Sequence, residues 1–328
     1  MKQGITNNSG FSLSMAVWLA HDDYDGPSEA APQGEVISVT TLLVPTRIFV
    51  LQQRLPEGTG LPDVTDRIAA RFGQAIHADI EKTWRQHYAT AMRKLGMSQK
   101  MIDKIRINPE KVEPGEIPVY LEQRYYRVFD GVVISGKFDE IINGQLNDTK
   151  TSSTYSYMNG TNEESHTKQL SAYRWISPEK VTSEIGNINH IFTDWQRMMT
   201  KQNPNYPKHR VTEVSYQLQS LKETESWIKA KLDEIRANVD LPEEQVIRCT
   251  PDELWMSPPQ YKYYADPAKA DLGGRSTKNC DSMQEAMTHM ATKGKGKGKI
   301  IVVPSEPKRC GYCPVYEICT QKDEYFHD

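Results

Sequence analysis

Apolar positions along this chain switch between two periods, and each switch marks a change of element. Between residues 63 and 95 they recur every fourth position, at Ile68, Phe72, Ile76, Ile80 and Trp84, which predicts one face of a long helix. Gly73, His77 and Glu81 repeat at the same spacing on an adjacent face. From residue 118 to 151 the period falls to two, with many β-branched positions. This predicts strands over 119–129, 132–142 and 145–151, the last two joined by Asn143-Gly144, a strong two-residue hairpin signal. Helical periodicity returns over 163–175 and, with many charges, over 218–238, with strands expected at 185–195 and 211–216 between them.

The flanking segments are less regular. Residues 1–34 read as an irregular arm with turn signals at Gly26-Pro27-Ser28 and Pro32-Gln33-Gly34 and a short helix or docked segment over 11–19. A helix is predicted from Thr40 or Thr41 to residue 55, capped by Ser/Thr, stopped by Pro56 and tolerating Pro45 in its first turn. A short helix follows at 98–105, and prolines at 109, 114 and 118 end it. Residues 153–160 read as a polar loop. After Pro242 prolines, tyrosines, glycines and cysteines dominate, and Lys293 to Lys299 alternates Lys and Gly as a flexible loop before a strand at 300–303. The expected division is an arm (1–34), a mixed α/β core (35–241) and a C-terminal segment (242–328).

Composition narrows the setting. A net charge of −3 gives no global positive field, so a nucleic-acid partner would require a local one. No run of about 18 apolar residues exists, so no transmembrane helix and no membrane partner are expected. The first residues lack an apolar signal core, and the five cysteines all fall at or after Cys249. An odd, clustered set argues against a disulfide framework, and the expectation is a reducing cytoplasm.

The candidate chemistry lies on the strands. Asp139 and Asp148 can hold Mg²⁺ or Mn²⁺ through carboxylate oxygens, with the Thr149 carbonyl as a further ligand. Lys150, two residues past Asp148, points to the same face of a strand, where its ammonium can position a water or cover charge developing on a phosphate. His77 can complete the metal shell, and Glu81, one turn on, can bind metal or hydrogen-bond to His77. Taken singly these residues say little: an Asp-x-Lys triplet recurs by chance, and a helical histidine is more often structural. Their order carries the information.

That order resembles the RecB-like branch of the PD-(D/E)xK nuclease superfamily over residues 38–195. The segment Ile37-Ser38-Val39-Thr40-Thr41-Leu42 is similar to its entry segment, and Gly73-x3-His77-x3-Glu81 to its helix motif. Ser135-Gly136-Lys137-Phe138-Asp139 and Asp148-Thr149-Lys150 are similar to its two metal-site strands, and Gln169-x3-Tyr173 to its Q-x3-Y helix. The resemblance implies a restriction-endonuclease-like αβββαβ core and a catalytic and metal set of His77, Asp139, Asp148 and Lys150. It adds Gln169 and Tyr173 as supporting residues that handle DNA near the site. The second acid is Asp where relatives often carry Glu.

The tail, Cys310-x2-Cys313-x5-Cys319, offers three soft ligands for Zn²⁺ or an iron–sulfur cube, each of which wants four. The fourth is Cys249 or Cys280. The spacing is similar to that of iron–sulfur members of the same branch, which implies a [4Fe–4S] cluster over zinc, although those relatives take their first cysteine from before the nuclease motifs. Arg248-Cys249-x3-Glu253-x-Trp255 is similar to a segment of phage-type relatives, which favours Cys249. Lys293, Lys295, Lys297, Lys299, Arg124, Arg127, Lys168 and Arg174 are candidate phosphate contacts, and Tyr155, Tyr157 and Trp175 candidate stacking platforms.

The expected function is a metal-dependent DNA nuclease, exonuclease before endonuclease, in recombination, repair or replication; the phage-type resemblance implies a phage setting, and then the host cytoplasm. The alternatives are a catalytically idle DNA-binding subunit with a structural cluster, or a subunit that cuts only with a helicase, annealing protein or other recombination partner.

Overall fold

A computed structural model describes residues 4–22, 31–56 and 61–326. The turn signal Gly26-Pro27-Ser28 lies outside the described residues. In chain order the elements are α1 (Leu13–Ala20), β1 (Val36–Ser38), α2 (Val39–Leu42), α3 (Thr46–Gln52), α4 (Ile68–Lys94), α5 (Gln99–Ile102) and β2 (Ile105–Ile107). The central run is β3 (Ile117–Phe129), β4 (Val132–Ile142), β5 (Gln145–Ser152), α6 (Thr154–Met158), α7 (Glu163–Ile176), β6 (Ile185–Phe192), α8 (Met199–Gln202), β7 (Val211–Gln217) and α9 (Leu221–Asn238). The chain ends with β8 (Gln260–Tyr264), α10 (Pro267–Asp271), β9 (Lys278–Cys280), α11 (Met283–Thr292) and β10 (Lys299–Val303). The fold is mixed α/β, and it divides into one unit of Met1–Val44 with Glu57–Asp233 and a second of Pro45–Pro56 with Glu234–Asp328.

The first unit is built on one mixed sheet in the order β2-β3-β4-β5-β6-β7, with β1 added in parallel to β4. β3, β4 and β5 form an antiparallel meander, and β6 joins β5 in parallel. The β4–β5 hairpin turns on Asn143 and Gly144, both at positive φ (50° and 83°), the conformation that makes Asn-Gly the preferred pair there. α7 lies on the β4 face that carries Gly136 and Phe138. A Cβ on Gly136 would sit 2.8 Å from the Tyr173 ring, so this position admits only glycine without displacing α7. The main core is here, with Phe138, Ile141, Leu146, Leu170, Trp175 and Ile188 fully buried. A second cluster packs the C-terminal half of α4, through Met92, on Ile105, Val119 and Leu121.

The second unit carries a three-stranded antiparallel sheet, β10-β8-β9, and packs Phe49 and Val50 of α3 against Ile235 and Val246. The strand expected at 300–303 is present as β10, whereas β8, β9 and α10 are regular structure that the fading periodicity of this end does not predict.

Several expectations need correction. The helix predicted from Thr40 or Thr41 to residue 55 is two, α2 and α3, because Pro45 lacks an N–H and disfavours helical Val44; Pro45 becomes the residue before α3 instead. The segment 98–105 gives only one helical turn and then enters the sheet as β2. Residues 153–160 are not simply loop: Ser153 caps α6 by accepting from the Ser156 amide. The apolar stripe of α4 leaves Ile68 and Phe72 exposed, so its N-terminal half is not a core face.

Candidate functional site

The site occupies a gap in the sheet. One edge of β4 is paired by β1 over Val133, Ile134 and Ser135, and by β5 over residues 140–142; residues 136–139 between them have no strand partner on that edge among the described residues. β5 leaves β4 after Asn147 and continues beside β6 to Ser152. The Thr149 amide, deprived of a β4 carbonyl, donates instead to Asp139 Oδ2 at 2.8 Å. On the other side the β3–β4 ladder skips Glu122, which stands opposite Asp139 with φ +51°, a left-handed conformation for a residue with a Cβ. Such a conformation costs roughly 1–2 kcal/mol and is kept where function or surrounding structure demands it.

α4 delivers His77 to this gap. Its Nε2 donates to the Thr149 carbonyl at 2.9 Å, and its Nδ1 lies 3.4 Å from Asp139 Oδ1 and 3.5 Å from Glu122 Oε1. Among the described residues, His77, Glu122 and Asp139 bring three potential ligand atoms within 4.8 Å of one another. Lys137 Nζ lies 3.2 Å from the other Glu122 oxygen. Glu81 lines the same cavity, but its carboxylate accepts from Arg85 Nε at 2.7 Å rather than from His77. Glu140 lines it too, with its buried Oε1 lacking a hydrogen-bond partner among the described residues.

Asp148 and Lys150 stand beside this group as a pair. Lys150 Nζ lies 2.7 Å from Asp148 Oδ2, a buried contact between opposite charges. Gln169 Nε2 lies 3.4 Å from Asp148 Oδ1 and donates to Tyr173 Oη at 3.0 Å, which joins α7 to the pair.

The electrostatics are those of crowded acids. Burial works against a charged His77, yet its contacts with Asp139 and Glu122 outweigh burial and raise it to about 10. Burial and then Asp139 push Glu140 up to about 7. Burial and Asp139 also raise Asp148, while Lys150 pulls it down. Lys150 is held above its ordinary value because Asp148 and Asp139 outweigh its own burial. The lysine stays charged, and Asp148–Lys150 is an ion pair. Carboxylates driven towards protonation, an imidazole driven to keep its proton and a buried Glu140 oxygen with no hydrogen-bond partner among the described residues together suit a hard divalent cation, which oxygen and imidazole ligands bind.

Sequence reasoning missed Glu122 and Glu140. A signal for Glu122 existed: Asp130-Gly131 is a second two-residue turn, with φ of 50° and 80°, and counting back from it sets Glu122 opposite Asp139. The candidate platform Trp175 is fully buried, with the Arg127 guanidinium 4.0 Å over its ring, so neither is free for a base or a phosphate; Tyr155 is exposed. Lys168 pairs with Glu164, and Arg174 with Glu184.

In the second unit Cys249, Cys310, Cys313 and Cys319 line one small cavity with Arg47, Arg309, Leu254 and Val315. The Gln321 side chain both accepts from the Cys249 amide and donates to its carbonyl, at 2.9 Å each, which ties Cys249 to the tail. Arg47 Nε donates to Cys319 Sγ at 3.2 Å. Burial, then Glu253 and the neighbouring thiols, pushes the Cys249 thiol up to about 12. Cys280 lies on β9 opposite Tyr261 and is not part of this lining.

Among the described residues no helix is long and apolar enough to cross a membrane. No known family profile matches the sequence, and no curated protein matches it. Among solved structures, the crystal structure of SSO0001 is similar at 16% identity over 62% of this chain and 78% of its own, with a TM-score of 0.38. A phage related exonuclease from Haemophilus somnus 129PT is similar at 11% identity over 50% of this chain and 82% of its own, with a TM-score of 0.23.

Proposed function

We propose that this chain is a divalent-metal-dependent DNA nuclease of the PD-(D/E)xK type, acting as an exonuclease in recombination, repair or replication. The observation that carries the reading is the gap between β4 and β5, where Asp139, Glu122 and His77 converge beside the Asp148–Lys150 pair. His77, Glu122 and Asp139 would hold Mg²⁺ or Mn²⁺, with Asp148 and the Thr149 carbonyl adjoining. When bound, the cation supplies Lewis acidity and a more acidic water for attack on a phosphodiester.

The protein's own groups do the rest. Lys150 keeps its proton beside Asp148 and offers a fixed positive charge to phosphoryl oxygens as they gain charge. Asp148 orients that ammonium, and Gln169 and Tyr173 fix Asp148 from α7. The strained Glu122 backbone aims an additional carboxylate into the site.

The cavity of Cys249, Cys310, Cys313 and Cys319 fits a thiolate-ligated group, with Arg47 and Arg309 to offset its negative charge. Following the sequence resemblance, we assign these four to a [4Fe–4S] cluster in preference to zinc.

The test is a cleavage assay with anaerobically purified protein on end-labelled linear DNA, in Mg²⁺ or Mn²⁺ against EDTA. The expected result is metal-dependent shortening from an end. A folded protein with its cluster loaded that leaves DNA intact in both metals would overturn the reading.

A further inference from the structure

Beside the acidic gap the first unit has a second cavity that the proposed chemistry does not use. It has a volume of about 240 Å³ and lies between α6, the start of α7, and β6 and β7. Its wall is aromatic: Tyr157 meets His190 edge-on at 5.5 Å, His190 lies 5.6 Å from His166, and His166 lies 5.8 Å from Tyr216. Both histidines are more than nine-tenths buried. His190 Nδ1 is engaged by Ser152 Oγ at 3.0 Å, and His166 Nδ1 lies 3.5 Å from Tyr216 Oη. The Nε2 of each has no hydrogen-bond partner among the described residues. Asn162 and Asn205 add amides at the rim.

The chemistry of this lining is selective. It contains no Lys or Arg and does contain Glu163, so it is poorly made for a phosphate. Both histidines are held towards neutrality, chiefly by burial, and His166 falls to about 4. Flat rings, neutral imidazoles and side-chain amides are instead what the face and edge of a base require. The cavity is also smaller than pockets for drug-sized ligands, roughly 300–1,000 Å³, which suits a single ring system.

Its position ties it to the reaction. Lys150 and His190 are register partners in the parallel β5–β6 ladder, so their side chains leave the same face on neighbouring strands. We propose that this pocket takes one unpaired nucleobase of a single-stranded DNA segment and thereby fixes the neighbouring phosphodiester at Lys150. The inference rests on the nuclease reading and deepens it: the substrate at the moment of cleavage is single-stranded, or frayed, at that nucleotide.

The experiment is equilibrium binding in EDTA, where no cleavage occurs, of a short fluorescein-labelled single-stranded oligodeoxynucleotide with one abasic site moved along it. One position should weaken binding by about tenfold, the scale of one lost base stack. That position effect should vanish in Tyr157→Leu and shrink in Asn205→Ala, the latter an exposed residue whose loss leaves the core intact; thermal melts check both. A flat abasic scan in the wild-type protein, or a position effect that survives in both variants, would overturn the pocket while leaving the nuclease reading standing. If a 5′-phosphate replaced the base as the group whose contribution these variants abolish, the pocket would be a phosphate site and the inference wrong. No binding of any oligonucleotide would remove both readings together.

Discussion

The two candidate metal centres of this protein are built in opposite ways. The acidic gap is made from regular structure interrupted: a strand edge left unpaired over residues 136–139, a ladder position skipped at Glu122, and a helix that supplies His77. Its ligands are oxygens and an imidazole, and more acids crowd it than one cation needs. The cysteine cavity is made from short turns and loops, with four thiols lining a pocket among apolar groups and arginines. A centre that performs chemistry must keep open positions and tolerate strain, whereas a structural centre closes its ligand set. Hard and over-supplied against soft and matched is the contrast on which the proposed catalytic role of the first and stapling role of the second rest.

That contrast can be broken most sharply at Lys150. Lys150→Ala should lower the cleavage rate by about 100- to 1,000-fold, the usual scale for losing a preorganised transition-state charge, while circular dichroism stays native. Equal loss of cleavage and of Mn²⁺ binding would make Lys150 a structural partner instead. In the other centre, Cys249→Ala should strip most of the bound iron or zinc, read by elemental analysis and visible absorption, and Cys280→Ala should strip none. The reverse result would mean that the cavity lining misidentifies the fourth ligand.

Proton competition offers a finer test. His77 is raised to about 10 without metal, so its charged form stabilises the metal-free fold fully below its ordinary value of 6.5, and that contribution is lost as pH rises through about 10. Metal must displace this proton. Apparent Mn²⁺ affinity should therefore rise by up to about tenfold per pH unit between neutrality and pH 9, and His77→Asn should flatten that slope. A calorimetric titration showing no proton release would contradict it. The smallest effect belongs to the backbone. Glu122→Gly relieves a left-handed conformation and the repulsion between neighbouring acids, and should raise metal-free stability by about 1 kcal/mol in denaturant melts while weakening Mn²⁺ binding. A variant that is less stable as well as weaker in binding would show that Glu122 serves the fold, not the site.

What the sequence made legible follows from the range of the interactions. The β3–β4–β5 meander is written locally, in alternation and in two turn dipeptides, and those turns fix register by counting. Register alone sets Glu122 opposite Asp139. The gap itself was not legible, because it depends on which distant strands, β1 and β6, take the edges of β4 and β5. Nor was the burial of Trp175 on α7, covered by Arg127 and Phe129 from β3. α6 escaped because its five residues are too few to show a helical period, and only the Ser153 cap marks it. The expected partner of His77, Glu81, shares its helix face, but the acids that reach its ring come from the sheet.

The most direct test of the central claim is an electron spin-echo measurement of Mn²⁺ bound to the purified protein. The account predicts one tight site whose echo is modulated by a directly coordinated imidazole nitrogen, a modulation lost in His77→Asn with the site otherwise retained or weakened. Mn²⁺ that binds without nitrogen coupling, or does not bind at all to the folded protein, would contradict the assignment of the gap between β4 and β5 as the catalytic metal centre.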